Sequence, residues 1–389
     1  MLDRQVLTAV APLDTIPAEA NNAFALMAEA WHTIDDRYVD QTAVSDTALA
    51  YGAISGMVNA LGDTGHSRFL SPEMVTEQHN FTQGQFEGIG AYVEMRDGYP
   101  VIVAPIDNSP AQAAGLQPGD VITAVNGEDV RGLPLYEIVQ RILGPAGTDV
   151  TLNVVDPTTG ETREMTLKRA KVVLNNVTWQ RLPGTTIAHL RITSFSQGVS
   201  QDLQQALMEI EGQGLTGIVL DLRNNPGGLL NEAIGVASQF LGADKIVLLR
   251  QDAEGKVAQE KTQLSGKPTS LPVVVLINQG SASASEIVAG ALQDNGRAIL
   301  LGEKTFGTGT VLNEFGLSDG SALLLATEEW LTPNGRLIWH QGIIPDKEVT
   351  LSLNSRLLFP EAERTLTAEQ LQTTEDTQLL QAINLLQEI

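Results

Sequence analysis

The chain has 389 residues, 42% of them apolar, and a formal net charge of −23 from 24 basic and 47 acidic side chains. That length supports two or three domains with at least one sizeable core, and the composition is globular rather than disordered. So acidic a chain repels phosphate backbones, which excludes nucleic acid. The absence of cysteine excludes disulfides, thiolate metal sites and a cysteine nucleophile.

No apolar run reaches the roughly 18 residues of a membrane span. The first residues show no basic segment leading into an apolar one, so no signal peptide is expected within the sequence. Residues 21–38 place Phe24, Met27, Ala28 and Trp31 on one face and predict a helix. A second helix is expected from an Asp46 N-cap through Leu49, Ile54, Met57 and Val58, ending at Gly62. A loop, Asp63-Thr64-Gly65-His66-Ser67, follows.

The texture changes near Gly84. Ile89, Ala91 and Val93 alternate as a strand, and residues 101–104 form another. Ser109-Pro110 starts a short helix that Gly115 ends. Residues 121–125 form a strand closed by the turn pair Asn126-Gly127, and Leu135, Ile138, Val139 and Ile142 stand at helical spacing. Strands at 150–154 and 162–167 complete a unit of about 85 residues, the size of a small domain. Phe86-Glu87-Gly88-Ile89-Gly90-Ala91, Pro118-Gly119-Asp120-Val121-Ile122 and Val125-Asn126-Gly127 resemble a PDZ domain over nearly this whole stretch. Glycines at 88 and 90 let backbone N–H groups of Gly88, Ile89, Gly90 and Ala91 converge on a terminal carboxylate, and the next strand can accept a peptide as an added strand.

Beyond Lys171 strands and helices alternate: strands at 186–192, 218–222 and 272–277, and helices at 199–210, 230–240 and 286–293. This predicts an α/β core. Residues 368–389 read as a polar helical tail with Leu379, Leu380, Ile383 and Leu386 as its stripe. The expected division is an N-terminal helical segment (1–82), a PDZ-like peptide-binding domain (83–170), an α/β core (171–360) and a C-terminal helical tail (361–389).

Asn278-Gln279-Gly280-Ser281-Ala282-Ser283-Ala284-Ser285-Glu286 joins a buried strand to a helix. A serine there stands at the positive end of a helix beside free backbone donors, which suits nucleophilic attack on a carbonyl. Ser283 through Glu286 also fits a capping box, which needs no chemistry. Leu220-Asp221-Leu222-Arg223-Asn224-Asn225-Pro226-Gly227-Gly228 ends a second buried strand in a glycine turn, and Gly302-Glu303-Lys304-Thr305-Phe306-Gly307, Leu331-Thr332-Pro333-Asn334-Gly335-Arg336 and Gly342-Ile343-Ile344-Pro345-Asp346 follow. In this order, with the PDZ-like insert, they resemble the carboxy-terminal processing peptidases of the S41 serine peptidase family over roughly residues 20–350.

The resemblance implies a ClpP/crotonase-like core with an inserted PDZ-like β-rich domain and N-terminal helices. It implies Ser283 as nucleophile, with an oxyanion hole from the N–H of Ala284 and of Gly228 or Gly227. It further implies endoproteolysis near the C-termini of protein or peptide substrates, with the PDZ-like domain capturing their free carboxylate. No cofactor or metal is needed, a homo-oligomer is compatible with it, and the implied location is extracytoplasmic or periplasmic, with a membrane anchor in a longer chain. The sequence departs from the family at one segment. The family reads Phe-Gly-Lys-Gly-Thr-Val-Gln, with lysine as base and glutamine orienting it. This chain has Thr308 in the lysine position and Leu312 in the glutamine position. Three arrangements remain open: His66 as the replacement base, near its working pH without perturbation; a peptide-binding scaffold without catalysis; and Lys304 as base, which requires desolvation.

Overall fold

The computed structural model describes residues 20–63, 67–83, 85–96, 99–106, 109–117, 119–133, 135–156, 159–173, 176–263, 266–351, 355 and 357–388. A six-stranded sheet lies at its centre, in the order Val177–Arg181, Ile187–Ile192, Gly217–Asp221, Val273–Ile277, Ile299–Gly302 and Lys347–Glu348. The first pair is antiparallel and the others are parallel. Val273–Ile277 is an unbroken apolar run buried along its whole length, as a parallel strand covered on both faces requires.

Helices Val199–Gly212, Leu230–Leu241 and Ala284–Asp294 cover one face. Leu203, Leu207 and Ile210 pack there with Leu190, Leu220 and Val275. The other face, with Val219, Val274 and Leu276, is covered by Leu371, Leu379, Ala382 and Ile383. The expected polar tail is thus corrected: the C-terminal helices close the core.

Polar residues in this segment misled the sequence reading because they are buried in pairs. Arg223 is fully buried and donates to Asp221 (2.7 Å), to Asp376 (2.9 Å) and to Gln378 (3.1 Å). His189 stands between Asp221 (3.2 Å) and Glu363 (2.6 Å), all three almost without exposure. Charges so buried persist only when paired, and removing one partner strands the other.

A second sheet joins Arg68–Leu70, Ala322–Leu331, Ile246–Asp252 and Val257–Lys261, with Thr310–Gly316 on the free side of Ala322–Leu331. The N-terminal segment therefore contributes a strand as well as helices. Its α-helices are Asn21–Arg37, Asp46–Asn59 and Pro72–Thr82. The second is capped by Ser45, whose hydroxyl accepts from Ala48 N–H, and not by Asp46 as expected. No described helix is long and apolar enough to cross a membrane.

A third sheet contains Ala91–Arg96, Tyr99–Pro105, Val121–Val125, Asp149–Val155 and Thr162–Lys168. It has its own core of Ile102, Ile122, Val125, Ile138, Leu152 and Val154. Chain entry and exit meet in a ribbon of Gln85–Gly88 with Ala170–Val173. Gly88 pairs with Ala170 in that ribbon and so stands apart from the module's own sheet. Ala91–Arg96 is an edge strand with helix Leu135–Ile142 beside it.

The pH dependence of stability tests the buried cluster. Burial alone would lower the His189 pKa, but Glu363 and Asp221 outweigh it and raise the value to about 9. A raised folded pKa contributes stability that is full below about pH 6.5 and is lost as pH rises through about 9. The unfolding midpoint of the wild type should therefore fall several degrees more than that of His189→Gln across this window. Parallel profiles would show that His189 carries no charge in the fold.

Candidate active site

Three loops leave the C-terminal ends of three adjacent parallel strands: 222–229 after Gly217–Asp221, 278–283 after Val273–Ile277, and 303–309 after Ile299–Gly302. Open parallel sheets place their sites at this edge. Asn225 joins the first two loops. Its side chain donates to the Ile192 carbonyl (2.7 Å) and accepts from Gly227 N–H (2.8 Å). Its carbonyl accepts from Ala282 N–H (3.0 Å) and from the Ser285 hydroxyl (2.9 Å). Ser281 donates to the Leu222 carbonyl at 2.8 Å. Ser281 and Ser285 are thus fully buried and committed to backbone carbonyls.

Ser283, between them, is different. It is half-buried and holds φ 57° and ψ −118°, a left-handed conformation that strains a residue with a side chain by about 1–3 kcal/mol. Ser283 and Glu286 occupy capping-box positions. The Glu286 carboxylate accepts from Ser283 N–H at 2.9 Å. Glu286 N–H donates to the Ser283 carbonyl (2.9 Å), and the Ser283 hydroxyl makes no cap bond.

The glycine turn presses against this serine. A Cβ on Gly227, at φ 97°, would lie 2.6 Å from Ser283 Cβ and 2.7 Å from the Ala282 carbonyl oxygen. Gly227 N–H is already taken by Asn225, so of the two expected glycine donors only Gly228 N–H is available. Among the described residues, Gly228 N–H and Ala284 N–H have no acceptor within the protein.

Glu286 ties this pair of loops to the third. Besides Ser283 N–H, its buried carboxylate accepts from the Thr305 hydroxyl (2.6 Å), Gly307 N–H (2.7 Å) and Thr308 N–H (2.9 Å). Burial raises the Glu286 pKa, against the opposing pull of these donors. The sequence offered Glu286 only as a cap, and gave no sign of Thr305 or Asn225. Thr308 is buried, Leu312 is half-buried on Thr310–Gly316, and Lys304 is exposed. An exposed lysine lacks the desolvation that a lysine base needs.

His66 lies outside the described residues. Its neighbours Asp63 and Ser67 do not. Asp63 accepts from Ser67 N–H (3.0 Å) and the Ser67 hydroxyl (2.6 Å), and Ser67 Oγ accepts from Ala326 N–H (2.9 Å). Ala326 is also the cross-strand partner of Leu312. The second Asp63 oxygen is buried without a partner. No described group of side chains is arranged to hold a metal. In the β-rich module, Gly90 has φ 75° and a Cβ there would lie 2.4 Å from Ser109 Cβ. Ile89 and Gly90 are buried, and the Ser109 hydroxyl donates to the Gly90 carbonyl at 2.8 Å.

Comparison with known proteins gives two family matches: peptidase family S41 over residues 186–349 and a PDZ domain over residues 101–156. The chain is 36% identical over 352 residues to the carboxyl-terminal-processing protease of Synechocystis sp., covering 85% of this chain and 82% of that protein. A Staphylococcus saprophyticus protein named as a probable CtpA-like serine protease is 36% identical over 322 residues. That match covers 82% of this chain, and the chain spans 64% of the staphylococcal protein's length. Among solved structures, a photosystem II D1 C-terminal processing protease is 30% identical with a TM-score of 0.59, covering 91% of this chain and 98% of that one.

Proposed function

The chain belongs to peptidase family S41, and from that premise we propose that it is a serine endopeptidase of the carboxy-terminal processing kind, with Ser283 as nucleophile and His66 as general base. The observation that carries this reading is the contrast among three serines. Ser281 and Ser285 spend their hydroxyls on carbonyls, whereas Ser283 is held in a strained conformation with its hydroxyl uncommitted. Strain at a site fixed by surrounding hydrogen bonds is characteristic of catalytic positions.

In this reading Ser283 Oγ attacks the scissile carbonyl as the base removes its proton. Gly228 N–H and Ala284 N–H receive the developing oxyanion. The base returns the proton to the leaving amine, and water then hydrolyses the acyl-enzyme by the same route. Threonine at 308 cannot accept the proton near neutral pH. The hydrogen bonds that tie Asp63 to Ser67 and Ser67 to Ala326, the cross-strand partner of Leu312, support the His66 assignment, because Leu312 stands in the position of the family's orienting glutamine. The edge strand Ala91–Arg96 beside helix Leu135–Ile142 supports capture of a substrate C-terminus by strand addition. The loss of both Lys and Gln favours a second reading, a scaffold that binds peptides without cutting them.

Cleavage of an unstructured protein separates the two. Ser283→Ala and His66→Ala should each reduce turnover at least about 100-fold. For the wild type, kcat/KM on a neutral peptide should rise through roughly pH 6 to 7 and then level. Full activity in either variant overturns that residue's role, and a wild type that binds peptides without cleaving them at any pH establishes the scaffold.

For the β-rich module, amidating a peptide's C-terminus should weaken binding to the Ser283→Ala protein at least about tenfold. Equal affinities for the free and amidated forms would exclude a carboxylate cradle.

A further inference from the structure

The loop that turns Thr305, Gly307 and Thr308 toward Glu286 has an outward face. Lys304 lies on it, exposed, with no acceptor among the described residues. With Arg336 and His340 it lines a cleft of about 400 Å³, whose remaining walls are Leu337 and the segment from Gln341 through Ile344. The chain carries 47 acidic side chains against 24 basic ones, yet no acidic side chain lines this cleft. A ligand carboxylate that is repelled over most of the surface meets cationic walls here.

The cleft is built onto the Ser283 site. His340 N–H donates to the Gly307 carbonyl (2.9 Å). Ile343 N–H donates to Thr305 Oγ1 (2.6 Å), whose hydrogen goes to Glu286 (2.6 Å), and Glu286 holds Ser283 N–H. The cleft floor and the nucleophile are therefore fixed by one hydrogen-bonded chain. Two walls are themselves held in place. Arg336 is tethered by Asp294 and by Gln293 Oε1 (2.8 Å), and the His340 ring stacks on Trp339 at 4.8 Å. Lys304 remains as the uncommitted cation. Exposed Phe306 and Ile344 supply apolar surface beside it for the stem of a bound side chain.

We propose that this cleft is a specificity subsite that takes an acidic side chain of the polypeptide substrate, with Lys304 as its principal charge partner and Arg336 and His340 as its fixed walls. The term substrate rests on the peptidase reading above, and the test separates the two claims. A single Glu is walked through the residues around the cleaved bond of a neutral peptide, with Gln at the same position as control, each in free and amidated form.

At one position the Glu peptide should be cleaved about fivefold faster in kcat/KM than its Gln counterpart, the ceiling for one solvent-exposed ion pair. The ratio should shrink in 0.5 M salt and should invert in Lys304→Glu. The proposal is overturned if no position prefers Glu, or if the preference survives in Lys304→Glu. It is also overturned if Lys304→Glu abolishes only a preference for the free over the amidated terminus, because the cleft would then take a chain end. If nothing is cleaved, the same walk is read as binding to the wild-type protein by fluorescence anisotropy. A Glu preference that Lys304→Glu reverses then supports the cleft although the peptidase reading has failed, and no preference overturns both.

Discussion

Glu286 places a carboxylate where water does not reach, and the donors that satisfy it fix the geometry of the site. Four hydrogen bonds converge on it from Ser283, Thr305, Gly307 and Thr308. An unsatisfied buried carboxylate is costly enough that each donor must stay in place. Two loops that are distant in sequence are thereby held in register, and Ser283 keeps a backbone conformation that its side chain disfavours. Asn225 performs the same service between the glycine turn and the nucleophile loop. The strain at Ser283 is sustained by this surrounding network.

Much of this was legible because it is local chemistry. A serine-and-glycine loop between a buried strand and a helix announces itself in sequence, as do the glycine turn at 227–228 and the β-rich insert. The capping-box pattern was legible too but ambiguous. The fold keeps its carboxylate half and leaves the hydroxyl half unmade, a choice that depends on the third loop supplying donors from about twenty residues away. No single-sequence pattern encodes that arrival.

The missed parts share a cause. The hairpin of Ile246–Asp252 and Val257–Lys261 is half-exposed and paired through charges, with Arg250 donating to Glu260 at 2.9 Å, and a bulge interrupts its alternation. The C-terminal segment reads as polar in sequence, yet its Glu363, Asp376 and Gln378 are buried. Glu363 is buried against His189, Asp376 against Arg223, and Gln378 against Arg223 and the Val349 carbonyl, all far away in sequence. Pairing of this kind removes the hydrophobic signature from residues that belong to the core.

Thr308 is tied to Glu286 through its backbone N–H, a bond that any residue but proline can make at this position. In the proposed mechanism the oxyanion donors, Gly228 N–H and Ala284 N–H, are likewise backbone groups and do not depend on the side chain at 308. A crystal structure of the protein treated with a peptidyl phosphonate ester tests this most directly. The expected adduct is on Ser283 Oγ, with one phosphonyl oxygen within hydrogen-bond reach of Gly228 N–H and Ala284 N–H. An adduct on another side chain, no adduct at all, or an oxygen facing solvent while both N–H groups stay unengaged would contradict the assignment.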